Sequence, residues 1–535
     1  MPDALPMPLT LAAFTWIDWG VVGAYLLVVL LIGFAASRKQ EDEGEFFLAG
    51  RRIPMWAATL SLVATSLSAA TYIGAPQISF NGDLSYLLLN IGGLLAVAIV
   101  ALLFLPALYR ANTTTIYGYL GQRISPGSAT AAAAAFLVGR LLASGARLFM
   151  AAIAFCLILY GDTTLDNMVY SIIILGIVGT AYTCMGGIRA VIWTDTLQII
   201  FVVGAAVVSI ILLLKMIPLD VPQIVDVLKT GGPDGANKLT VVDTGIDPKT
   251  GAYDWAAPFT LFAAFAVTFS NIGSYGTDQD LVQRTMTTKS AWRASMSLVL
   301  SQLVAIPVVV LFLIIGLLLS IYYGMPEVMG EHAPAAINDS RKVYPHFLVT
   351  EMPPVLAGLA MAGMFAAAMS SFDSAVNAMA SSAVADVLKP KPRADGRAPS
   401  AWRGRLAVIV MGVLLIGFAI GAAVMQDATA KTGNPAGDSL ISFALGVMAF
   451  AYAGLVGVFL TARLTRRGNT GSVVGALFAG ATVVLLQQPY ILPRITEFYF
   501  GRPLTLAWPW WMVTGTAVSF VVCVMGERQP VEHDA

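Results

Sequence analysis

Charged residues are scarce in this chain, and the two signs balance. Lysine and arginine together number 31, aspartate and glutamate also number 31, and charged residues make up 12% of the 535. Proteins that bind nucleic acid usually present a basic surface, which a net charge of zero and short basic clusters do not provide. We therefore expect no nucleic acid partner.

Cysteine and histidine are also rare, with three residues of each. The cysteines lie in apolar runs without the spacing of metal ligands and are interpreted as small core residues: Cys156, Cys184 and Cys523. All three histidines lie outside the predicted membrane helices: His332, His346 and His533. Neither a histidine proton relay nor a histidine metal site is expected.

No soluble domain is evident, because apolar segments recur along almost the whole chain. Hydrophobic residues make up 57%, and the mean hydropathy of +0.77 is typical of polytopic membrane proteins. Thirteen segments approach the spanning length of about 20 residues: 16–36, 55–78, 84–108, 128–160, 167–185, 190–217, 256–277, 293–322, 351–383, 406–425, 438–462, 471–490 and 507–525. The predicted fold class is an all-α polytopic membrane protein with about 13 transmembrane helices.

The distribution of lysine and arginine predicts the orientation of the chain. Twenty of the 31 fall on one set of alternate loops, eight on the other set and three within helices. By the positive-inside rule the N-terminus is outside and the C-terminus is cytoplasmic. The expected location is a bacterial-type inner (plasma) membrane, which the chain crosses many times. The first segment lacks a basic start and a cleavage motif, so it is predicted to be retained.

The segment 366–377 places polar groups inside an apolar helix. On a 3.6-residue period one stripe, with Asp373 at its edge, carries Ala367, Ser370, Ser371, Ser374 and Asn377. A central aspartate costs about 2.5–3.5 kcal/mol to insert into hydrocarbon, so these groups should face a protein-lined cavity or an ion. The alternative is a small-residue helix contact in which the serines bond to carbonyls of their own helix.

Two further segments interrupt the apolar pattern in mid-membrane. The segment 64–76 is crowded with Ser, Thr and Gly and is predicted to be closed by Pro76, and the segment 268–276 is similar. Both indicate helices with an unwound point, whose free carbonyls need partners. For 64–76 the alternative is a tightly packed helix of small residues. The motif 278–284 that follows is predicted to lie on the cytoplasmic side.

These irregular helices are the first and the sixth after the N-terminal helix. Two five-helix units must run in opposite orientations because five is odd, so the spacing predicts a 5+5 inverted repeat whose discontinuous helices 1 and 6 meet at the midplane. The predicted domains are an N-terminal helix and loop (1–54), a first repeat (55–217), an outside loop with a short amphipathic helix near 221–229 (218–255), a second repeat (256–462) and two extra helices (463–535).

Three charged residues stand within or at the start of predicted membrane helices. Arg140 and Arg147 lie well past the start of theirs, so one of them is expected to meet an anion or a carboxylate of the protein. Asp195 opens the helix that ends near Ile217. It is either a helix cap or part of a site.

Four motifs carry a family resemblance: 46–51, 186–198, 278–284 and the serine pair 370–371. Together they resemble the sodium:solute symporter family, which includes the sodium/glucose, sialic acid, proline and monocarboxylate symporters, and the resemblance covers nearly the whole chain. It implies a LeuT-like core and a secondary active symporter, not an enzyme, that imports a small polar solute with sodium ions. Its surroundings would be the lipid bilayer, and it would function as a monomer.

The resemblance also implies sodium ligands. A site between helices 1 and 8 would use the carbonyls of Ala64, Leu67 and Ala367 and the hydroxyls of Ser370 and Ser371, since hard cations prefer oxygen ligands. Some members have a second sodium site, which here would use Asp195, Ser370, Asp373 and Ser374. Asp373 departs from the Ser or Thr usual at its position. The extra carboxylate would either strengthen the binding of a second sodium ion or, if protonated, be incompatible with the second sodium site of those members.

The positions that line the pocket of sugar-transporting members carry little polarity here: Asn90, Ala305, Ser274 and Val447. The sialic acid symporters are more similar, and matching to them gives six substrate residues: Ser68, Thr71, Asn90, Arg147, Asn271 and Tyr275. Arg147 would hold a substrate carboxylate by two parallel hydrogen bonds. We therefore expect a carboxylate-bearing solute of sialic acid or monocarboxylate type. The alternative is sodium symport of a neutral hexose or related polyol.

Two other functional classes are alternatives to transport. An intramembrane enzyme needs a nucleophile and a base, and Ser371 with Asp373 offers a pair that no His or Lys completes. A receptor needs a signalling domain, and none is evident in the sequence. Transport is therefore the expected function.

Overall fold

The computed structural model describes residues 15–37, 42–67, 69–160, 162–230, 235–335, 337, 340–389, 400–432 and 436–527. One predicted substrate residue, Ser68, lies outside the described residues. Within the described ranges the chain is helical, and its only β-pairing consists of two isolated antiparallel bridges, Asp42–Ser400 and Ile246–Tyr253. The all-α prediction is confirmed.

The first half of the chain forms ten α-helices: α1 Trp16–Ser37, α2 Glu43–Leu48, α3 Met55–Ser66, α4 Ala69–Asn81, α5 Leu89–Ile99, α6 Leu105–Ala111, α7 Ile116–Arg123, α8 Pro126–Tyr160, α9 Leu165–Met216 and α10 Val221–Thr230. A 3₁₀ turn, Ser85–Leu88, precedes α5, and a π-helical turn, Val100–Phe104, joins α5 to α6. Helix α10 is the short amphipathic helix predicted near 221–229.

The second half contributes eleven more: α11 Leu261–Ile272, α12 Gln279–Met286, α13 Ala291–Tyr322, α14 Pro326–Met329, α15 Val343–Thr350, α16 Leu356–Ser382, α17 Ala401–Thr432, α18 Ala436–Leu464, α19 Thr470–Leu486, α20 Leu492–Phe500 and α21 Trp508–Val524. Each of the thirteen predicted segments overlaps helix. Among the described residues, seven helices are long and apolar enough to cross a membrane, or eight if the bent pair α3–α4 is one span. The number thirteen stays a prediction.

Helices α3 and α4 form the first broken helix. Helix α3 ends at Ser66. The next residue, Leu67, takes φ −89° and ψ 84°, and the two halves are bent by 57°. Pro76, which was predicted to close the helix, lies inside α4. That prediction is wrong because a proline removes only one backbone donor, and packing holds α4 beyond it: Ser79 donates to the Leu313 carbonyl of α13 at 2.8 Å.

The second broken helix runs through α11, a π-helical turn at Gly273–Thr277, and α12. Asp278 is extended at the break, with φ −91° and ψ 121°. Every residue of α12 is buried, so the charged motif 278–284 lies inside the protein rather than in an exposed loop, and its place on the cytoplasmic side stays a prediction. A hydropathy pattern assigns a charged motif to a loop, but here the interior supplies counter-charges for it.

Helix α9 covers two predicted segments and is broken at Gly187, which has φ +52° and ψ −152°. A Cβ at this glycine would lie 2.4 Å from the Phe46 carbonyl oxygen. Only glycine readily combines this left-handed conformation with so close a backbone approach. The turn therefore holds α2 against the middle of α9.

Helix α16 lies at the centre of the molecule and is buried along nearly its whole length. It packs against α9, α8, α17 and α1. Its N-terminus is capped from α1, because Asp18 accepts hydrogen bonds from the amides of Val355 at 2.7 Å and Gly358 at 2.9 Å. Helix α1 is thus fixed to the helix that carries the predicted sodium ligands.

Candidate functional site

The Asp195 carboxylate of α9 joins three other helices. It is completely buried and accepts hydrogen bonds from Ser61 Oγ of α3 at 2.5 Å, Ser370 Oγ of α16 at 2.6 Å and Arg284 Nη2 of α12 at 3.2 Å. Its partners come from other elements rather than from the first turn of its own helix. The capping alternative for Asp195 is therefore wrong.

Arg284 is the counter-charge of Asp195 and is also completely buried. Its Nε donates to Ser61 Oγ at 2.9 Å, and its Nη1 donates to the backbone oxygen and to Oδ1 of Asp280, both at 2.7 Å. Its Nη2 also donates to Ser374 Oγ. The planar guanidinium fork serves all these acceptors at once. Sequence reasoning did not assign this residue to a site, although it ends one of the four family motifs.

The predicted ligands of the first sodium site lie on the two helices that Asp195 connects. Ala64 and Leu67 are buried at the end of α3, where the last turn of a helix leaves carbonyls without intrahelical partners. Ala367, Ser370 and Ser371 are buried on α16, which contacts α3. Ser371 Oγ donates to the Ala367 carbonyl at 3.4 Å, a long hydrogen bond. Carbonyl and hydroxyl oxygens of this kind are suitable ligands for a hard cation.

Three of the four residues predicted for a second sodium site meet around Arg284. Asp195 and Ser374 contact the guanidinium directly, and Ser370 bonds to Asp195. The fourth, Asp373, is engaged elsewhere: it accepts from Tyr182 OH of α9, and its Oδ1 accepts from Ser374 Oγ at 3.3 Å. Sequence reasoning missed Tyr182, whose phenol has no local signal.

The serine and aspartate considered as an enzymatic pair do not bond to each other. The Ser371 hydroxyl donates to a carbonyl of its own helix, whereas Asp373 is bound by Tyr182 and Ser374. A nucleophile needs a base within hydrogen-bond reach. The geometry therefore gives no support to the enzyme alternative.

A second buried ion cluster lies at the break before α12. Arg140 of α8 pairs with Asp278 at 3.0 Å and with Asp280, and Tyr452 OH donates to Asp278 at 2.5 Å. The expectation that Arg140 or Arg147 meets a carboxylate of the protein is met by Arg140. Asp280 bonds to both Arg140 and Arg284, so the two ion clusters are continuous.

Arg147 differs sharply from Arg140. It lies two helical turns further along the same face of α8 and is half-buried. Among the described residues no hydrogen bond or ion pair is made by its guanidinium. Asp278, which pairs with Arg140, acts on Arg147 electrostatically from beyond ion-pair distance. A guanidinium inside a membrane helix without a direct ion pair is available to an anion from outside the chain.

Two other predicted substrate residues are linked through a residue that sequence reasoning missed. Gln302 of α13 donates to Asn90 Oδ1 at 3.3 Å and accepts from Tyr275 OH at 3.1 Å. Its only signal in the sequence is a polar amide in an apolar helix. Thr71 and Asn271 are half-buried, and within the described part of the chain neither side chain has a hydrogen-bond partner.

Three of the four positions matched to the sugar pocket have described side chains. Asn90 bonds to Gln302 and to the Leu87 carbonyl, the latter at 3.1 Å, and Ala305 is a buried apolar residue of α13. Ser274 lies in the π-helical turn. The side chain of Val447 lies outside the described part of the structure.

Comparisons with known proteins agree with this geometry. The family model described as "Sodium:solute symporter family" matches residues 46–474. A sodium/sialic acid symporter of Proteus mirabilis (strain HI4320) is 28% identical over 481 residues, which cover 88% of this chain and 89% of that protein. The sodium/iodide cotransporter of Homo sapiens is 27% identical over 494 residues, which cover 88% of this chain and 69% of that protein.

A solved structure shows the same fold. It is the substrate-bound, outward-open state of a Na⁺-coupled sialic acid symporter, described as revealing a novel Na⁺ site, with a TM-score of 0.77 and 25% identity over 96% of this chain and 98% of that chain. The LeuT-like arrangement with discontinuous helices 1 and 6 is confirmed, and so is sodium as the coupling ion. The chain belongs to the sodium:solute symporter family.

Proposed function

We propose that the protein imports a small carboxylate-bearing solute, of sialic acid or monocarboxylate type, together with sodium. The observation that carries this proposal is the contrast between two arginines of α8: Arg140 pairs with two carboxylates, whereas Arg147 pairs with none among the described residues. A charge in the membrane interior without a direct ion pair is costly. An anionic substrate supplies the missing partner, and the sialic acid and iodide named for the two relatives are anions at neutral pH.

The groups near the two broken helices supply polar contacts for such a solute. The hydrogen-bonded set of Asn90, Gln302 and Tyr275 offers amide and phenol groups, and Thr71 and Asn271 offer further donors and acceptors. Ser68 joins them on the family resemblance alone. A site with a few convergent polar groups and one charge fixes orientation and selects by substrate charge.

For the coupling ion we propose a site formed by the carbonyls of Ala64, Leu67 and Ala367 and the hydroxyls of Ser370 and Ser371. These groups come from the end of α3 at the break in helix 1 and from the buried face of α16. An ion bound there holds α3 against α16. Loss of the ion to the cytoplasm releases the two helices, which is the step that alternating access requires.

A second sodium site is proposed at Asp195, Ser370, Asp373 and Ser374. In its favour, the carboxylate and two hydroxyls converge beside Arg284. The Arg284 guanidinium contacts Asp195 and Ser374, so a second cation at this site would have to displace the guanidinium. The guanidinium would then move toward Asp280, which already accepts a hydrogen bond from it. Binding of this ion would therefore rearrange α12.

The protein is a multi-pass membrane transporter for a small solute and sodium. We further propose that it lies in a bacterial-type inner membrane with its N-terminus outside and its C-terminus in the cytoplasm, and that it works as a monomer. Arg284 is buried and so does not count among the loop charges. The other lysines and arginines still favour the same set of loops, so the predicted orientation does not change. The membrane potential adds about 2.3 kcal/mol per charge per 100 mV to the driving force.

The substrate proposal is tested by sodium-driven uptake into proteoliposomes, with sialic acid, lactate and glucose compared in wild type, Arg147→Lys and Arg147→Ala. We expect Arg147→Ala to weaken uptake of the anionic substrate by roughly 10- to 100-fold, since hydrogen bonds to charged groups contribute about 1.5–3 kcal/mol. Arg147→Lys should also weaken it, because an ammonium cannot form the planar two-bond fork.

Arg293→Lys, at an exposed arginine of α13, is the matched control and should behave as wild type. Glucose uptake that is strong in wild type and undiminished in Arg147→Ala would contradict the carboxylate proposal. It would instead support the neutral hexose alternative.

A further inference from the structure

Asn377 is buried in α16 without using its hydrogen-bonding groups. Its side chain is 0% exposed, and neither Oδ1 nor Nδ2 has a partner among the described residues. Leaving a buried polar group unpaired costs about 1–3 kcal/mol, and a carboxamide carries both donors and acceptors. Packing alone would favour leucine at this position, so the amide has another use.

The position of Asn377 relates it to the proposed ion sites. With 100° per residue, the side chains of Ser370, Ser374, Asn377 and Ser381 fall within about 60° of one another on α16. Asn377 lies about 10 Å along the helix axis from Ser370, and Ser381 lies about 6 Å further. These four residues, here named the α16 polar face, form a row of oxygen-bearing side chains that leads away from the sodium ligands.

The α16 polar face is opposed by α12. Ser374 contacts Arg284 near the end of α12, and Ser381 Oγ accepts from Gln279 Nε2 at its start, at 3.2 Å. Asn377 lies between these two contacts and so also faces α12. The row therefore runs along the seam between α16 and the second half of broken helix 6.

The far end of this seam is closed by α7. Gln279 Oε1 accepts from the Ile116 amide at 2.9 Å, and Thr115 Oγ1 donates to Asp386 Oδ1 at 2.7 Å. Asp386 is 3% exposed, and its Oδ2 has no partner within the described ranges. In the proposed orientation this is the cytoplasmic end, and a few hydrogen bonds separate it from the loops.

We propose that Asn377 is a relay site for sodium between its binding site and the cytoplasm, with Asp386 as the next oxygen ligand at the closed end. The amide oxygen is a hard but neutral ligand. Release along a path requires sites that bind the ion weakly enough for it to leave, and a carboxylate at position 377 would hold it more strongly. This inference rests on the proposed sodium site at Ser370 and Ser371 as the starting point and extends it to the exit.

The experiment separates sodium binding from sodium release by using Asn377→Leu, which keeps the branched shape of the side chain and removes the amide. Sodium-dependent substrate binding is measured by thermal shift of the purified protein. Net sodium-driven uptake and substrate exchange with saturating sodium on both sides are measured in proteoliposomes. We expect binding and exchange within twofold of wild type, because neither requires net sodium release, and net uptake reduced at least fivefold.

Two further variants make the result specific. Asn377→Ser restores an oxygen and should recover part of the net uptake, whereas Asn377→Asp should make net uptake more sensitive to internal sodium. The control is Thr516→Val in α21, where a buried hydroxyl also lacks a described partner but lies off the α16 polar face. It should leave all three readouts unchanged.

Wild-type net uptake in Asn377→Leu would overturn the proposal. So would an equal loss of net uptake and exchange that Asn377→Ser does not repair, since that result indicates a structural role. A changed sodium dependence of binding in Asn377→Leu would also overturn it. Failure of the sodium site itself is distinguishable, because Ser371→Ala tests that site through binding alone.

Discussion

Arg284 shows how single residues keep several charges in the membrane interior. One guanidinium compensates Asp195 and shares Asp280 with Arg140. Each carboxylate also accepts hydrogen bonds, so few acceptor positions are left unused. Such clusters are costly to desolvate as a whole, but removing one member is worse, because the remaining charge is left buried and unpaired.

We predict that Arg284→Gln destabilises the folded protein by about 3–5 kcal/mol, the cost of breaking a buried ion pair from one side. The double variant Arg284→Gln with Asp195→Asn should recover part of this loss, because the unpaired carboxylate is gone. The measurement is the thermal unfolding midpoint of the purified protein. Arg293→Gln, at an exposed arginine, should change it little; a midpoint for Arg284→Gln equal to that control would contradict the prediction.

At the sodium site we predict that Ser371→Ala raises the sodium concentration for half-maximal substrate binding several-fold, because one ligand oxygen is lost. A contribution of roughly 0.5–1.5 kcal/mol per such contact corresponds to this range. Ser301→Ala in α13 is the matched control, since Ser301 is also buried and bonds to a carbonyl of its own helix. Equal sodium dependence in the two variants would show that Ser371 contributes to packing and not to sodium binding.

The types of residue at the site could be predicted from sequence more readily than their partners. Hydroxyls and an aspartate in a hydrophobic segment stand out wherever they occur, so Ser370, Ser371 and Asp195 were found. Ser61 and Tyr182 were not, because each becomes part of the site only through a contact with a residue more than 130 positions away. Periodicity describes one helix at a time and contains no information on such pairs.

At the scale of elements, glycine and small polar residues indicated which helices are broken, but not which residue leaves the helical conformation. The run at 268–276 predicted an unwound helix, yet the extended residue is Asp278 just beyond it. A break needs hydrogen-bond partners for the freed backbone. The Asp278 carboxylate accepts a hydrogen bond from the Asp280 amide at 2.9 Å, and it also forms an ion pair with Arg140. The position of the counter-charge thus decides where the helix opens.

The turn inside α9 gives a test of element geometry. We predict that Gly187→Ala markedly lowers the unfolding midpoint and the yield of folded protein, because a Cβ would meet the Phe46 carbonyl and the backbone has positive φ. Strain of this kind costs about 1–3 kcal/mol before the steric clash is added.

Gly204→Ala in the same helix is the control, since nothing lies within 4 Å of a Cβ there. Alanine is the better helix former, so its midpoint should equal or slightly exceed that of wild type. A Gly187→Ala protein as stable as Gly204→Ala would show that the turn can relax.

At the scale of the whole molecule, the contacts of Arg284 bear on how many ions move in one cycle. If the second site at Asp195 and Ser374 binds sodium, we predict transport of two sodium ions per substrate, measured from reversal potentials in proteoliposomes. Asp195→Asn should reduce the ratio to one, because the second ion loses the negative charge of one of its proposed ligands. One sodium ion per substrate in wild type, or the same number in Asp195→Asn as in wild type, would contradict the proposed second sodium site.

The contact between Asp18 and the start of α16 has a consequence for biosynthesis. The amides of Val355 and Gly358 follow Asp18 by 337 and 340 residues. At about 5–20 residues per second, the ribosome makes the donors roughly 17–70 seconds after the acceptor. Helix α1 also packs on α9, which is made earlier. Helix α1 therefore docks in two stages, and its attachment to α16 waits until Gly358 has been translated.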